Sequence, residues 1–180
     1  MITTNDAGLN RFAREMRMFG RSQETGEVVR EGNDWFLDEF RACIAGAQLS
    51  ELDAMLARRR EIAQIYREAL GNQQGISLLK HPEGANAYYQ FPVFLDQRLN
   101  APAIGKVLKE KYGIQAKRIY LPVHQEVIFR EYANPTLRVT EDVLHRSLCL
   151  PMHLDVTDDD AKVVASSLLA EVREKLSGGS

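Results

Sequence analysis

Apolar residues recur along the middle of the N-terminal half at helical spacing. Leu49, Leu52, Leu56, Ala63, Tyr66 and Leu70 follow one another at intervals of three, four and seven. That stripe predicts helix over Leu37–Leu70, with a break near Ser50. The opposite face carries Arg58, Arg59, Arg60, Glu61 and Glu68. Consecutive helical residues point in different directions, so the arginine run reads as a solvated, salt-bridged face rather than a phosphate cradle. Upstream, Asp6 is placed to cap a helix with Leu9, Phe12, Met16 and Met18 as its apolar positions. Gly20 stands where a left-handed residue would end it. The polar stretch Arg21–Gly32 predicts a loop, long enough to be functional or draped over a partner.

Downstream the periodicity alternates. Ala87–Leu95 is rich in aromatic and branched residues and predicts a strand. Ala101–Tyr112 predicts a helix with Ile104, Val107 and Leu108 inward and Gly113 as its stop. A second strand is expected over Ile114–Leu121, ending at Pro122. Val139–Leu150 should contain a short helix capped by Thr140, then the apolar stretch Leu148–Pro151. Thr157 should cap a last helix whose first turn holds Asp158, Asp159 and Asp160, where carboxylates favour the dipole. Its apolar side uses Val163, Val164, Leu168, Val172 and Leu176, and Ser177–Ser180 reads as a frayed tail. The fold class expected is α+β: a long helical element on a small antiparallel or mixed sheet, closed by a terminal helix.

Composition narrows the function classes. The 180 residues suit one domain, or one and a fragment of another. A net charge of -2 gives no electrostatic reason to expect nucleic acid or an anionic membrane as partner. No apolar run approaches the ~20 residues of a bilayer span. The first ten residues lack the pattern of a signal peptide, so a cytoplasmic location is expected. Cys43 and Cys149 sit in apolar stretches and read as packed, reduced thiols.

Local chemistry is sparse. Ser77-Leu78-Leu79-Lys80 has the Ser-x-x-Lys spacing of some acylating enzymes but does not open a buried helix. His81, His124, His145 and His153 have no metal-ligand spacing, and Pro151 interrupts any helix joining Cys149 to His153. No metal site is expected.

Three stretches, in order, carry a family resemblance. The first is Gly32-Asn33-Asp34-Trp35-Phe36 through Glu39 and Ala42, followed by Gln48-Leu49, Arg59-Arg60, Ile62-Ala63 and Tyr66. The second is Gly113-Ile114 with Tyr120-Leu121-Pro122-Val123-His124, and the third is Leu150-Pro151-Met152-His153 with Val156-Thr157-Asp158. The opening Ile2–Asp6, Arg14 and Gly20 fit as well. Together they resemble the C-terminal portion of the DegT/DnrJ/EryC1/StrS family of pyridoxal-phosphate (PLP)-dependent sugar aminotransferases.

That resemblance implies a fold-type I transferase in which a large domain binds PLP and supplies the Schiff-base lysine. A smaller C-terminal domain closes the site, and two subunits build it together. Residues 1–31 would then be a remnant of the large domain and 32–180 the small domain. Lys80, Lys106, Lys109, Lys111, Lys117, Lys162 and Lys175 all match other parts of the family, so none inherits the catalytic role and the chain alone is expected to be inactive. PLP would bind only on completion by an N-terminal PLP domain, separately encoded or missing. The complete enzyme would be a homodimer taking a keto-sugar substrate and an amino-acid donor.

The resemblance also supplies site candidates. Asp34 stands where the family has an asparagine that reaches the PLP phosphate of the neighbouring subunit, and Phe36 replaces the family arginine. An aspartate brings like charge towards a phosphate, which puts that contact in doubt, although the neighbouring Asn33 could supply an amide; a helix cap before Leu37 is the alternative reading of Asp34. Tyr120 and His124 match a segment lining the sugar site, or form a strand end with a packed tyrosine. Lys117 falls near the substrate in some members, or is a solvated strand lysine. Departures at 34 and 36 leave a rival function: a catalytically inert scaffold or interaction domain built on the same fold.

Overall fold

The structure, a computed structural model, describes residues 2–80, 86–118, 120–132 and 137–178. It divides into two compact units, Met1–Glu51 and Leu52–Ser180.

In the first unit, α1 (Ala7–Arg17) is capped as expected by Asp6, whose side chain accepts from the Leu9 amide. Met18 follows the helix, and the chain turns through positive φ at Phe19 and Gly20. Gly20 is obligatory there: a Cβ would collide with the Arg30 carbonyl. The polar 21–32 segment is ordered by its own hydrogen bonds. Ser22 donates its amide to Glu27, Gly26 to Ser22 and Val29 to Gly20, all at 2.9 Å. Arg30 Nε reaches the buried Glu15 carboxylate at 2.6 Å, and its guanidinium lies over the Phe12 ring.

The second helix, α2 (Glu39–Ser50), is capped by Asp38, which accepts from the Arg41 amide. Asp34 is therefore not the cap that the alternative reading made it. No residue of α2 is buried, and Phe40, Ile44 and Leu49 are exposed. Cys43 is exposed as well, contrary to the packed thiol expected from its apolar neighbours.

The second unit begins with α3 (Leu52–Leu70), so the helical stretch does break beside Ser50. A three-stranded antiparallel sheet follows in order β1 (Ile76–Leu78), β2 (Phe91–Leu95), β3 (Ser147–Leu150). Register aligns Ile76 with Leu95, Leu78 and Leu148 with Val93, and Leu150 with Phe91. Side chains alternate across a sheet, so these residues share one face. Against it lie α3, on β1, and α4 (Ala101–Tyr112), on β3, and α6 (Asp158–Ser177) packs on both of these helices. Ile62, Tyr66, Leu70, Ile104, Leu108, Leu168 and Val172 fill the interior.

Local signals place the helix ends here too. Asn100 caps α4, Gly113 ends it at φ 71°, and Thr157 forms a capping box with Asp160. Two expectations fail. Among its described residues the 114–121 stretch forms no strand: Lys117 alone pairs, its carbonyl accepting from the Cys149 amide at 2.7 Å. Thr140 is no cap either, because α5 (Arg138–His145) starts earlier, after Leu137. Of the 87–95 strand, only Phe91–Leu95 is paired. His81 lies outside the described residues.

Candidate functional site

The first candidate surface is the turn that joins α1 to α2. Asp34 pairs by backbone bridge with Met18 just past α1, and its side chain is exposed. Every amide of the turn has an internal acceptor. Asn33 donates to the Met16 carbonyl at 2.9 Å and Trp35 to Arg17 at 3.1 Å. The Asp34 amide donates to Asn33 Oδ1 at 2.8 Å, and Phe36 makes a long 3.5 Å contact to Asp34 Oδ1. Arg17 stacks its guanidinium over Phe36, 5.4 Å from the ring centroid, with a buried Nε that has no hydrogen-bond partner in the described structure.

The second surface belongs to the other unit and is built by the chain after α4. Past Lys117 the chain runs through Arg118, Tyr120 and Pro122 into a short 3-10 turn, Val123–Gln125. His124 is folded inward, its side chain 12% exposed, and Nε2 lies 2.8 Å from Glu141 Oε1 in the first turn of α5. Hydrogen bonds from His124 first, then Gln125, hold the Glu141 carboxyl below the usual carboxylate range. Arg146 does the same for Asp142, 2.7 Å away. Arg118, Pro122, Gln125, Glu141, Asp142 and His145 line an open cleft of about 340 Å³. Its lining mixes hydrogen-bond donors and acceptors.

Of the sequence-selected residues, His124 is anchored beside this cleft, whereas Tyr120 is 69% exposed and Lys117 is exposed at the edge of β3. Asp34 belongs to the separate first unit. Sequence reasoning missed Arg118, Gln125, Glu141 and Asp142. Glu141 is 17 positions from His124, and no short spacing announces such a pair. Among the described residues, no group of three His, Cys, Asp or Glu could hold a metal ion, and no helix is long and apolar enough to cross a membrane.

Comparison with known proteins decides the lineage. The model of the DegT/DnrJ/EryC1/StrS aminotransferase family matches residues 1–169. The chain belongs to that family. Similar solved structures include the aminotransferase TlmJ from Streptoalloteichus hindustanus, at 26% identity and TM-score 0.81, covering 98% of this chain and 47% of TlmJ. DesI, solved in the presence of its TDP-sugar product, has 25% identity and TM-score 0.83, covering 98% of this chain and 46% of DesI. The uncharacterized protein MJ1066 of Methanocaldococcus jannaschii is 26% identical over 97% of this chain and 50% of its own length. The chain thus spans about half the length of the relatives it matches. The DegT/DnrJ/EryC1/StrS aminotransferases are PLP-dependent, and this member has their α+β architecture with a long helix on a small sheet. Its lysines are ordinary surface groups where they are paired: Lys106 with Glu110, Lys111 with Glu171 and Lys162 with Asp159.

Proposed function

We propose that this chain is the C-terminal part of a PLP-dependent aminotransferase acting on keto sugars, usually nucleotide-linked, in polysaccharide or natural-product sugar biosynthesis. Residues 1–31 belong in this reading to the PLP-binding large domain and 32–180 to the small domain. The large domain, on polypeptide outside these 180 residues, supplies the lysine that holds PLP and moves protons, while the cofactor acts as electron sink. The amino donor is an amino acid, and the working unit is a homodimer in the cytoplasm.

The observation carrying this reading is the match over 98% of the chain to the aminotransferase TlmJ and to DesI, which was solved with its TDP-sugar product, this chain covering 47% and 46% of their lengths. The inward His124, the cleft beside it and the exposed Tyr120 support a sugar-facing role for the 117–125 segment. An inert scaffold remains the rival, favoured by the side chains at 34 and 36. A PLP titration with borohydride trapping separates the two. The expected result is no aldimine band with the 180-residue chain alone and a trapped band once a family large domain is supplied. A trapped lysine within this chain would overturn the assignment of roles, and no band in either case would favour the scaffold.

A further inference from the structure

The 33–36 turn is the place where this chain's chemistry departs from what a PLP phosphate needs. A phosphate dianion binds to free N–H donors or to cationic side chains that can face it. The amides of 33, 34 and 35 are already committed to the carbonyls of Met16 and Arg17 and to Asn33 Oδ1, and that of Phe36 faces Asp34 Oδ1. The turn also abuts the last turn of α1, whose carbonyl end carries the negative pole of the helix. Its exposed side chains are one neutral carboxamide, Asn33, whose oxygen already accepts from the Asp34 amide, beside a carboxylate, an indole and a phenyl ring: Asp34, Trp35 and Phe36. The Arg17 guanidinium, which touches the turn, is spread over the Phe36 face with its Nε buried. The residues present do not fit a phosphate.

We propose that the 33–36 turn is an anion-excluding surface, so that the phosphate of PLP in a completed enzyme is held without any contact from this turn. The proposal rests on the aminotransferase reading only for naming PLP as the relevant anion. The exclusion itself is a property of the isolated chain, and the two can fail separately. Two side chains decide it. Asp34 repels the anion, and Phe36 occupies the position from which a cation could reach it while engaging the Arg17 guanidinium.

Inorganic phosphate is the probe, titrated at constant ionic strength against the ¹⁵N-labelled 180-residue chain, with the amides of 33–36 and the Arg17 Nε–H followed by NMR. No saturable shift is expected in the native chain. The double variant Asp34→Asn/Phe36→Arg should acquire one, its affinity rising at least about tenfold over the unresolved native value. Both positions are exposed, and unchanged amide spectra outside the turn confirm that the variant is folded. A saturable shift in the native turn would overturn the proposal, and its loss in Arg17→Gln would trace the binding to the guanidinium. Absence of binding in the double variant would overturn it equally, because residues 34 and 36 would then not be what decides.

Discussion

Lys111 Nζ lies 2.9 Å from Oε1 of Glu171, a carboxylate on α6 that is only 3% exposed. Tyr112 donates to the same oxygen at 2.9 Å, so two consecutive residues at the end of α4 fasten it to α6. The Lys111 bond holds the Glu171 carboxyl below its usual range, against the opposing effect of burial and with a further contribution from Tyr112. A carboxyl depressed in the folded state contributes stability above its unfolded pKa and loses it as pH falls through the folded one. The melting temperature should therefore drop as pH is lowered from about 5 through the carboxylate range, and Glu171→Gln should flatten that slope. Lys111→Met should destabilise most at neutral pH, where it strands a buried charge, and less once Glu171 is protonated. Parallel pH profiles for native and Glu171→Gln proteins would refute this account.

The start of α6 offers a cleaner energetic test. Thr157 Oγ1 accepts from the Asp160 amide at 3.1 Å, and Asp160 Oδ2 accepts from the Thr157 amide at 3.0 Å. Thr157→Ala removes half of this reciprocal cap and should cost about 1 kcal/mol in urea unfolding, while Thr157→Ser should retain most of it. Equal stability of the alanine and serine variants would mean that the cap contributes nothing net.

What was legible in the sequence follows the range of the forces involved. Asp6, Gly113 and Thr157 announce helix ends because capping is satisfied within three or four residues, and all three act where expected. The 114–121 stretch departs from the strand expected of it because a strand needs a neighbour to supply its ladder, and among the described residues there Lys117 alone meets one. Thr140 has cap chemistry, but α5 begins two residues earlier without a side-chain cap. Cys43 was misplaced because an apolar pattern tells which face of α2 wants covering, not whether these residues cover it. His124–Glu141 was invisible for the same reason: two segments far apart in sequence meet only through the fold.

Tyr66 ties α3 to the chain leaving β3. Its ring is fully buried, 5.2 Å from Phe91, and its hydroxyl donates to the Pro151 carbonyl at 2.9 Å. Tyr66→Phe keeps the ring but leaves that carbonyl without its donor, and should cost about 1–2 kcal/mol in denaturant unfolding. Tyr66→Ala should cost several-fold more, since it also opens a core cavity. A neutral phenylalanine variant would show that water replaces the hydroxyl.

The two thiols should separate by reactivity. Cys43 is exposed on α2, whereas burial pushes the Cys149 thiol up to about 11. The thiolate is the reacting species, so at mildly alkaline pH an aromatic disulfide reagent should modify one thiol fast and the other only slowly. Cys43→Ser should abolish the fast phase and Cys149→Ser the slow one. Two fast phases in the folded protein would contradict the protection seen at β3.

The His124–Glu141 pair beside the candidate cleft can be probed without any ligand. Glu141 receives His124 from one side and Gln125 from the same short turn, so it clamps the 122–125 segment to α5. The amides of Gln125 and Glu126 donate to the carbonyls of Pro122 and Val123, local contacts that a clamp would stabilise. Glu141→Ala should therefore speed hydrogen exchange at both amides several-fold while leaving the β2–β3 ladder unchanged. Glu141→Gln, which keeps an oxygen acceptor facing His124, should restore most of the protection. Exchange that is unaltered in the alanine variant would mean that the turn is held by its own backbone, and that Glu141 is free to serve the cleft instead.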